Sequence, residues 1–276
     1  FGSNPDSQFA EKSLSRIPFK VYLNTTINMG HIYGSEAEVV ILPCAARDEE
    51  QQATTQESMF NFVRKSDGGI VRLDNVRSET DIICELALNI IDNASVDFSE
   101  FKKHKNIRKA IACTIPGFEK LLELEEKDKE FQIGGRTLHS PEFNTPDKKA
   151  NFKVVDIPKL SLNTKMDFQL TTVRSEGQFN TIIYEEHDLF RDQTERWIVL
   201  MNKLDMKSRE LKENDLVDIK SDTGKMERVK VREFDISRSC LLTYFPESNI
   251  LISNNTDPRS KTPGFKSVPV NIFKIN

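Results

Sequence analysis

From about residue 165 to the end, seven short apolar runs follow one another with only polar turns between them: MDFQLTTV, RWIVLMN, DLVDIKS, ERVKVREF, CLLTYF, NILIS and SVPVNIF. Each is strand-sized, and Asp222-Thr-Gly224 between the third and fourth is a hairpin signal. So many consecutive strands leave two unpaired edges unless the sheet closes on itself, so this region predicts a closed all-β architecture over 165–276.

The first 130 residues have a different texture. FKVYLNTT at 19–26 and AEVVILP at 37–43 are apolar, β-branched runs bounded by Gly, Asn and Pro, as expected of buried strands in an α/β sheet. DSQFAEKSLSR at 6–16 predicts a helix capped by Asp6 or Ser7 that turns Phe9, Leu14 and Ile17 towards a core. SETDIICELALNIIDNA predicts a second helix, with Ser78 as N-cap and acids in its first turn. FSEFKKHKNIRKAIACTI predicts a third, ending before Pro116-Gly117. The charged run KLLELEEKDKEF after it reads as a solvated helix. Residues 131–164, with Gly134-Gly135 and prolines at 141, 146 and 158, read as a connection. The organisation expected is therefore α/β over 1–130, a connection over 131–164 and a β domain over 165–276.

Charge limits the partners. With 39 basic and 43 acidic residues the net charge is −4, so no global field favours nucleic acid or an anionic membrane, and any anion must be held locally. The longest apolar stretches, such as VVILPCAA at 39–46 and LALNIID at 86–92, fall far short of the roughly 20 residues that span a bilayer. Cys44, Cys84, Cys113 and Cys240 lack CxxC spacing and histidine neighbours, which argues against zinc and iron–sulfur sites. Buried free thiols in a reducing, cytoplasmic setting are expected instead. FGSNPDSQ has neither a basic nor an apolar signal region and reads like a chain entered partway through a domain.

Several polar clusters are candidates for chemistry. Gly2-Ser-Asn-Pro5 offers a glycine for close approach and Asn4 as donor and acceptor, although taken alone it reads as a turn. Asn24-Thr25-Thr-Ile-Asn28, followed by Gly30 and His31, comes directly after an expected strand, where α/β sheets gather ligands. Its competing reading is an Asn/Thr loop that caps a helix. LTTVRSEGQFNT at 170–181 delivers Thr172, Arg174, Ser175, Gln178, Asn180 and Thr181 around Gly177. A guanidinium among hydroxyls and amides suits phosphate or a planar heterocycle. No nucleophile–base pair and no paired carboxylates are present in it, so it suits binding better than acid–base catalysis. Tyr244-Phe-Pro-Glu-Ser-Asn249 and Thr262-Pro-Gly-Phe-Lys266 set further polar residues beside prolines, as ligand contacts or simple turns.

Taken in order, GSNPD, NTTINMGH, ILPCAARDEE, QESM, RSETDI, PGF, TVRSEGQFNT, YFPESN and TPGFKSVPV resemble counterparts in the C-terminal half of formate-dehydrogenase-like molybdopterin oxidoreductases. The resemblance covers essentially the whole chain. It implies a Rossmann-like α/β portion followed by a six-stranded double-psi β-barrel, and a molybdenum ion held by two molybdopterin guanine dinucleotides. By residue-by-residue match it implies cofactor contacts at Gly2 and Asn4, at Asn24, Thr25, Asn28 and His31, and at Thr172, Arg174, Ser175, Gln178, Asn180 and Thr181. Asn249 and Lys266 match later cofactor-facing turns of the barrel. Two departures weaken the match: Thr26-Ile-Asn-Met-Gly-His31 stands where the family carries Lys-Leu-Asn-Arg-Ser-His, and Ile182-Ile-Tyr184-Glu185 replaces Ile-Tyr-Gly.

The resemblance further implies that the molybdenum-ligand region, and any iron–sulfur cluster, belong to an N-terminal half in the same or a separate chain. The expectation is a cofactor-holding C-terminal part of a molybdenum oxidoreductase, inactive alone. The rivals are a split-gene remnant or scaffold that keeps the fold without cofactor, and an independent barrel module that binds an unrelated small ligand.

Overall fold

The computed structural model describes residues 3–32, 37–58, 61–125, 130–134, 142–156, 166–178 and 183–275. The chain divides into two compact units, one of Phe1–Lys20, Asn28–Val39 and Pro158–Asn276, the other of Val21–Ile27 and Val40–Ile157. The fold class is the expected one, an α/β N-terminal region followed by a closed barrel.

In the N-terminal region the helix α1 (Ser7–Ser15) starts where expected, with the Asp6 carboxylate accepting the Phe9 N–H at 3.2 Å. Its apolar residues are not a core stripe, because Phe9 is 59% exposed and Ile17 44%. The strands β1 (Phe19–Asn24) and β2 (Glu38–Pro43) form a two-stranded sheet. They are not the buried strands expected: only Lys20 is buried in β1 and nothing in β2, so the apolar β-branched runs mark strands here without marking covered ones.

The second unit carries an antiparallel sheet of β3 (Thr54–Glu57), β4 (Phe62–Ser66) and β5 (Glu130–Gln132). The helix α2 (Glu79–Ile90) begins at Ser78 as expected, although the Ser78 hydroxyl makes no capping bond. The third expected helix is two: α3 (Phe98–Phe101) and α4 (His104–Thr114), broken at Lys102–Lys103. The charged run after Gly117 is not simply solvated. It forms a 3-10 helix at Glu119–Glu125 whose Leu121 and Leu124, three residues apart on one face, pack with Val63, Ala112, Phe131 and Ile133.

The barrel consists of β6 (Phe168–Val173), β7 (Ile198–Met201), β8 (Leu216–Lys220), β9 (Lys225–Glu233), β10 (Cys240–Tyr244) and β11 (Val268–Lys274). Around it the order is β10-β6-β11-β8-β9-β7, closing back on β10. The pairs β6–β10 and β7–β9 are parallel and the other four antiparallel. Alternation in β6 turns Phe168, Leu170 and Thr172 inward, while all four residues of β7 are buried. The interior is filled by Leu170, Val199, Val217, Ile219, Val231, Leu241 and Val270, none of them exposed to solvent. A short helix, α5 (Lys203–Ser208), follows β7 and is capped by Asn202.

The turn between β8 and β9 is tight. The Ser221 hydroxyl accepts the N–H groups of Thr223 and Gly224 and donates to the Leu251 carbonyl at 2.8 Å. The expected strand NILIS is instead a 3-10 helix, Glu247–Leu251, where Ser248 Oγ donates to the Tyr244 carbonyl at 2.7 Å. Its apolarity is used to plug the barrel, because Leu251 and Ile252 are wholly buried without pairing in the sheet. The four cysteines are free, but only Cys44 and Cys84 are buried; Cys113 is exposed and Cys240 half-buried.

Candidate functional site

Two strand ends meet at one mouth of the barrel. The Thr172 N–H and Oγ1 both donate to the Phe265 carbonyl, each at 3.2 Å, which locks the end of β6 to the segment before β11. Lys266 follows Phe265, and its Nζ donates to the Thr172 carbonyl. Phe265 stands edge-on to Phe245 with ring centroids 5.8 Å apart, and the Arg174 guanidinium lies 5.1 Å above the Phe245 ring. Thr172, Val173, Arg174, Phe245, Phe265 and Lys266 line a concavity of about 580 Å³ together with Ser3. Ser3 is held there because the Asp6 N–H donates to the Ile252 carbonyl at 2.7 Å, which fastens the N-terminal segment to the turn after β10.

Positive charge dominates this mouth. Burial, with the neighbouring Arg191 charge second, pushes the Lys266 ammonium below its ordinary value. An anion beside it would reverse that cost. Arg191 is anchored by its carboxylate partner Asp188 at 2.9 Å and donates to the Arg174 carbonyl at 3.0 Å. Burial works against the Asp188 charge. Bonds from the Tyr244 hydroxyl, the Glu176 N–H, Arg191 and the Phe190 N–H outweigh it and hold the carboxyl below its ordinary value. The same burial, followed by the bond to Asp188, raises the Tyr244 phenol strongly.

Behind the mouth the turn after β6 is built on itself. Gln178 Oε1 accepts the Ser175 N–H at 3.0 Å, and its amide donates to the Phe245 carbonyl at 2.9 Å. Arg196 completes the net. Its guanidinium donates to Ser175 Oγ at 3.0 Å, to the Phe245 carbonyl at 2.6 Å and to Glu247 Oε1 at 2.5 Å, between the rings of Tyr184 and Tyr244.

The expected site residues therefore separate. Thr172, Arg174 and Lys266 converge on the concavity, and Asn4 is exposed beside Ser3. Ser175 and Gln178 are buried in the internal net, and Asn249 is wholly buried in its 3-10 turn, away from the concavity lining. Gly2, Asn180 and Thr181 lie outside the described residues. Asn24 and Thr25 sit at the end of β1, with the Asn24 amide donating to the Thr26 carbonyl at 2.9 Å and Thr25 exposed. Asn28 Oδ1 accepts the Gly30 N–H and the Asn28 N–H donates to His31 Nδ1 at 3.0 Å, so this pair caps its own short turn. Arg196, Asp188 and Arg191 were not signalled by the sequence, except that Arg196 stands two residues before a strand buried at every position.

Residues 168–269 match the family described as "Molydopterin dinucleotide binding domain". The closed six-stranded barrel over this segment matches a molybdopterin dinucleotide-binding domain. Over 99% of its length the chain is 27% identical to "Protein YdeP" of Escherichia coli K12 and covers 38% of that protein. It is 29% identical over 98% of its length to "Uncharacterized oxidoreductase Rv2900c" of Mycobacterium tuberculosis H37Rv, covering 37% of it. The chain thus spans under two-fifths of these relatives. Acetylene hydratase from Pelobacter acetylenicus shares the fold with a TM-score of 0.66 at 12% identity, over 99% of this chain and 42% of that one.

The residues present fit a pterin dinucleotide. Two exposed cations and a hydroxyl rim suit a pyrophosphate, and the Phe245 and Phe265 rings give a flat group an apolar wall.

Proposed function

We propose that this chain is the cofactor-holding C-terminal part of a molybdenum oxidoreductase, formate-dehydrogenase-like, whose cofactor is a bis(molybdopterin guanine dinucleotide). The observation that carries the reading is the meeting of Thr172, Arg174 and Lys266, all inside the segment that matches the dinucleotide-binding family, around one concavity that Ser3 also lines. Arg174 and Lys266 would hold phosphate oxygens, Thr172 would fix the strand end that presents them, and Ser3 and Asn4 would close the rim. Ser175 and Gln178 would act indirectly, by fixing the turn. When bound, the cofactor supplies the two-electron redox chemistry through its metal. The rest of the active site would come from an N-terminal half, in the same or a separate chain, consistent with coverage of only 37–38% of the curated relatives. Formate is the substrate by analogy with the family.

Arg174→Ala tests the reading. The side chain is exposed at the mouth rather than packed in the barrel, so the variant should keep the barrel's thermal transition within a few degrees. Reconstituted with its N-terminal half and cofactor, it should lose molybdenum on gel filtration faster than the unsubstituted protein, by metal analysis. Equal metal content in the two would exclude Arg174 from the site, and failure of the unsubstituted chain to retain any would favour a remnant that keeps only the fold.

A further inference from the structure

The second unit holds a cavity of about 340 Å³ that has no part in the barrel site. At it lies Glu50, only 8% exposed. No described group donates a hydrogen bond to its carboxylate. Its one ion-pair neighbour among the described residues is the His104 ring, also 8% exposed, whose Nε2 lies 3.9 Å away and is itself buried without a hydrogen-bond partner. A carboxylate so largely buried, with no protein donor to it and only a sliver of contact with solvent, is a place for a ligand that brings donors of its own.

The surroundings fix the sign of that ligand. Arg72 is engaged with Asp48 at 2.6 Å and Glu49 at 3.5 Å. Lys102 is engaged with Glu85 and Asp81. The nearby cations are thus already paired with other carboxylates, whereas Glu50 has only the His104 ring at 3.9 Å. A metal ion is disfavoured, since no group of three His, Cys, Asp or Glu able to hold one occurs among the described residues. Ile70 and Leu73, half or more exposed on the same wall, suit an apolar body, and the Ser78 hydroxyl, buried there without a partner, offers a further polar contact.

The wall is also rigid. The Gly69 N–H donates to the Glu50 carbonyl at 2.9 Å, and Gly68, at φ +62°, lies so close that a Cβ would come within 2.4 Å of the same oxygen. On the other side the His104 N–H is held by Gln52 Oε1 at 3.0 Å, and the Gln52 amide donates to the Lys102 carbonyl at 2.8 Å.

We propose that the Glu50 cavity binds a small organic cation, an ammonium or guanidinium group on a short apolar body. Agmatine, which carries both groups on four carbons, is the probe, with butyrate as the anionic control. Calorimetric titration of the 276-residue chain should give saturable agmatine binding and none for butyrate. Glu50→Gln keeps the side-chain shape and should weaken agmatine binding about tenfold or more, as expected for loss of a charge-assisted hydrogen bond. In the unsubstituted protein the His104 ring resonance, one of only four histidines to assign, should shift with the same saturation curve. Equal affinity in Glu50→Gln, butyrate binding as well as agmatine, or a His104 resonance that agmatine leaves in place would each overturn the proposal. If Glu50→Gln does not fold, the His104 titration decides alone.

Discussion

Replacing Arg196 with methionine removes one charge and at least four hydrogen bonds while roughly keeping side-chain length. Arg196 and Glu247 are 15% and 19% exposed at the side chain, so the pair is partly shielded from water. Breaking a buried pair by removing one partner costs about 3–5 kcal/mol, mostly because the remaining charge is stranded; with this residual exposure the low end, about 3 kcal/mol, applies. Ser175 Oγ and the Phe245 carbonyl lose a donor as well, and the guanidinium leaves the Tyr184 and Tyr244 rings. For a domain of this class the loss corresponds to a fall in the melting temperature of roughly 6–12 °C. Trp197, the single tryptophan, adjoins the site, and its indole N–H donates to the Glu227 carbonyl, so its fluorescence follows barrel unfolding in urea. Adding Glu247→Gln to Arg196→Met should recover half or more of the loss, since a neutral side chain leaves no stranded charge. A loss below about 1 kcal/mol would mean an ordinary surface ion pair. A double variant that costs the sum of the two single changes would refute the stranding argument.

Two further outcomes follow from the same unit. Asp188 has its native value held below the ordinary one, so its stabilisation is present above the unfolded value of about 3.9 and is lost as the pH falls through the native value; urea midpoints at pH 6 and pH 3 should differ less in Asp188→Asn than in the unsubstituted protein, and an unchanged pH dependence would remove Asp188 from the acid response. Gly224→Ala would drive a Cβ to within 2.2 Å of the Ile250 carbonyl, a backbone atom that cannot swing aside, so a loss of about 1–3 kcal/mol is expected in the same urea assay, and a neutral result would show that the β8–β9 turn shifts freely.

The barrel was legible because strand formation leaves its mark within a few residues. Phe168, Leu170 and Thr172 alternate inward on β6, and Ile198–Met201 is apolar throughout because both its faces are covered. Apolarity says that a segment is buried, not how, and so NILIS reads as a strand although its first three residues lie in the 3-10 helix Glu247–Leu251. Charge misleads in the complementary way. In KLLELEEKDKEF the acids and lysines hide two leucines at a spacing of three, and those two leucines are the part that packs. Nor does a short run reveal its neighbours: β1 and β2 are strands as expected, but their apolar composition does not say whether other elements cover their faces.

The candidate site was legible only as a set of residue types, because the same types serve two ends. Hydroxyls and amides close turns through their own backbone, and they also bind ligands. In Thr-x-Arg-Ser-x-x-Gln the structure divides these uses: Ser175 and Gln178 spend their polar atoms on each other, on Arg196 and on Phe245, while Arg174 two residues from Thr172 faces the concavity. The division depends on Arg196, which lies 18 residues beyond Gln178, and on strand pairings that bring Phe245 and Phe265 beside Val173 and Thr172. Asn28 and His31 show the opposite outcome in a similar run of polar residues, with both side chains engaged in the turn that contains them. Polarity at the end of a strand is therefore a weak guide to ligand contact, and long-range partners decide which polar atoms remain available. At the barrel mouth Arg174 and Lys266 line the concavity, Arg174 over the Phe245 ring and Lys266 bonded to the Thr172 carbonyl. Binding there should depend chiefly on those two cations, whereas changes at Ser175, Gln178 or Arg196 should act through the shape of the turn.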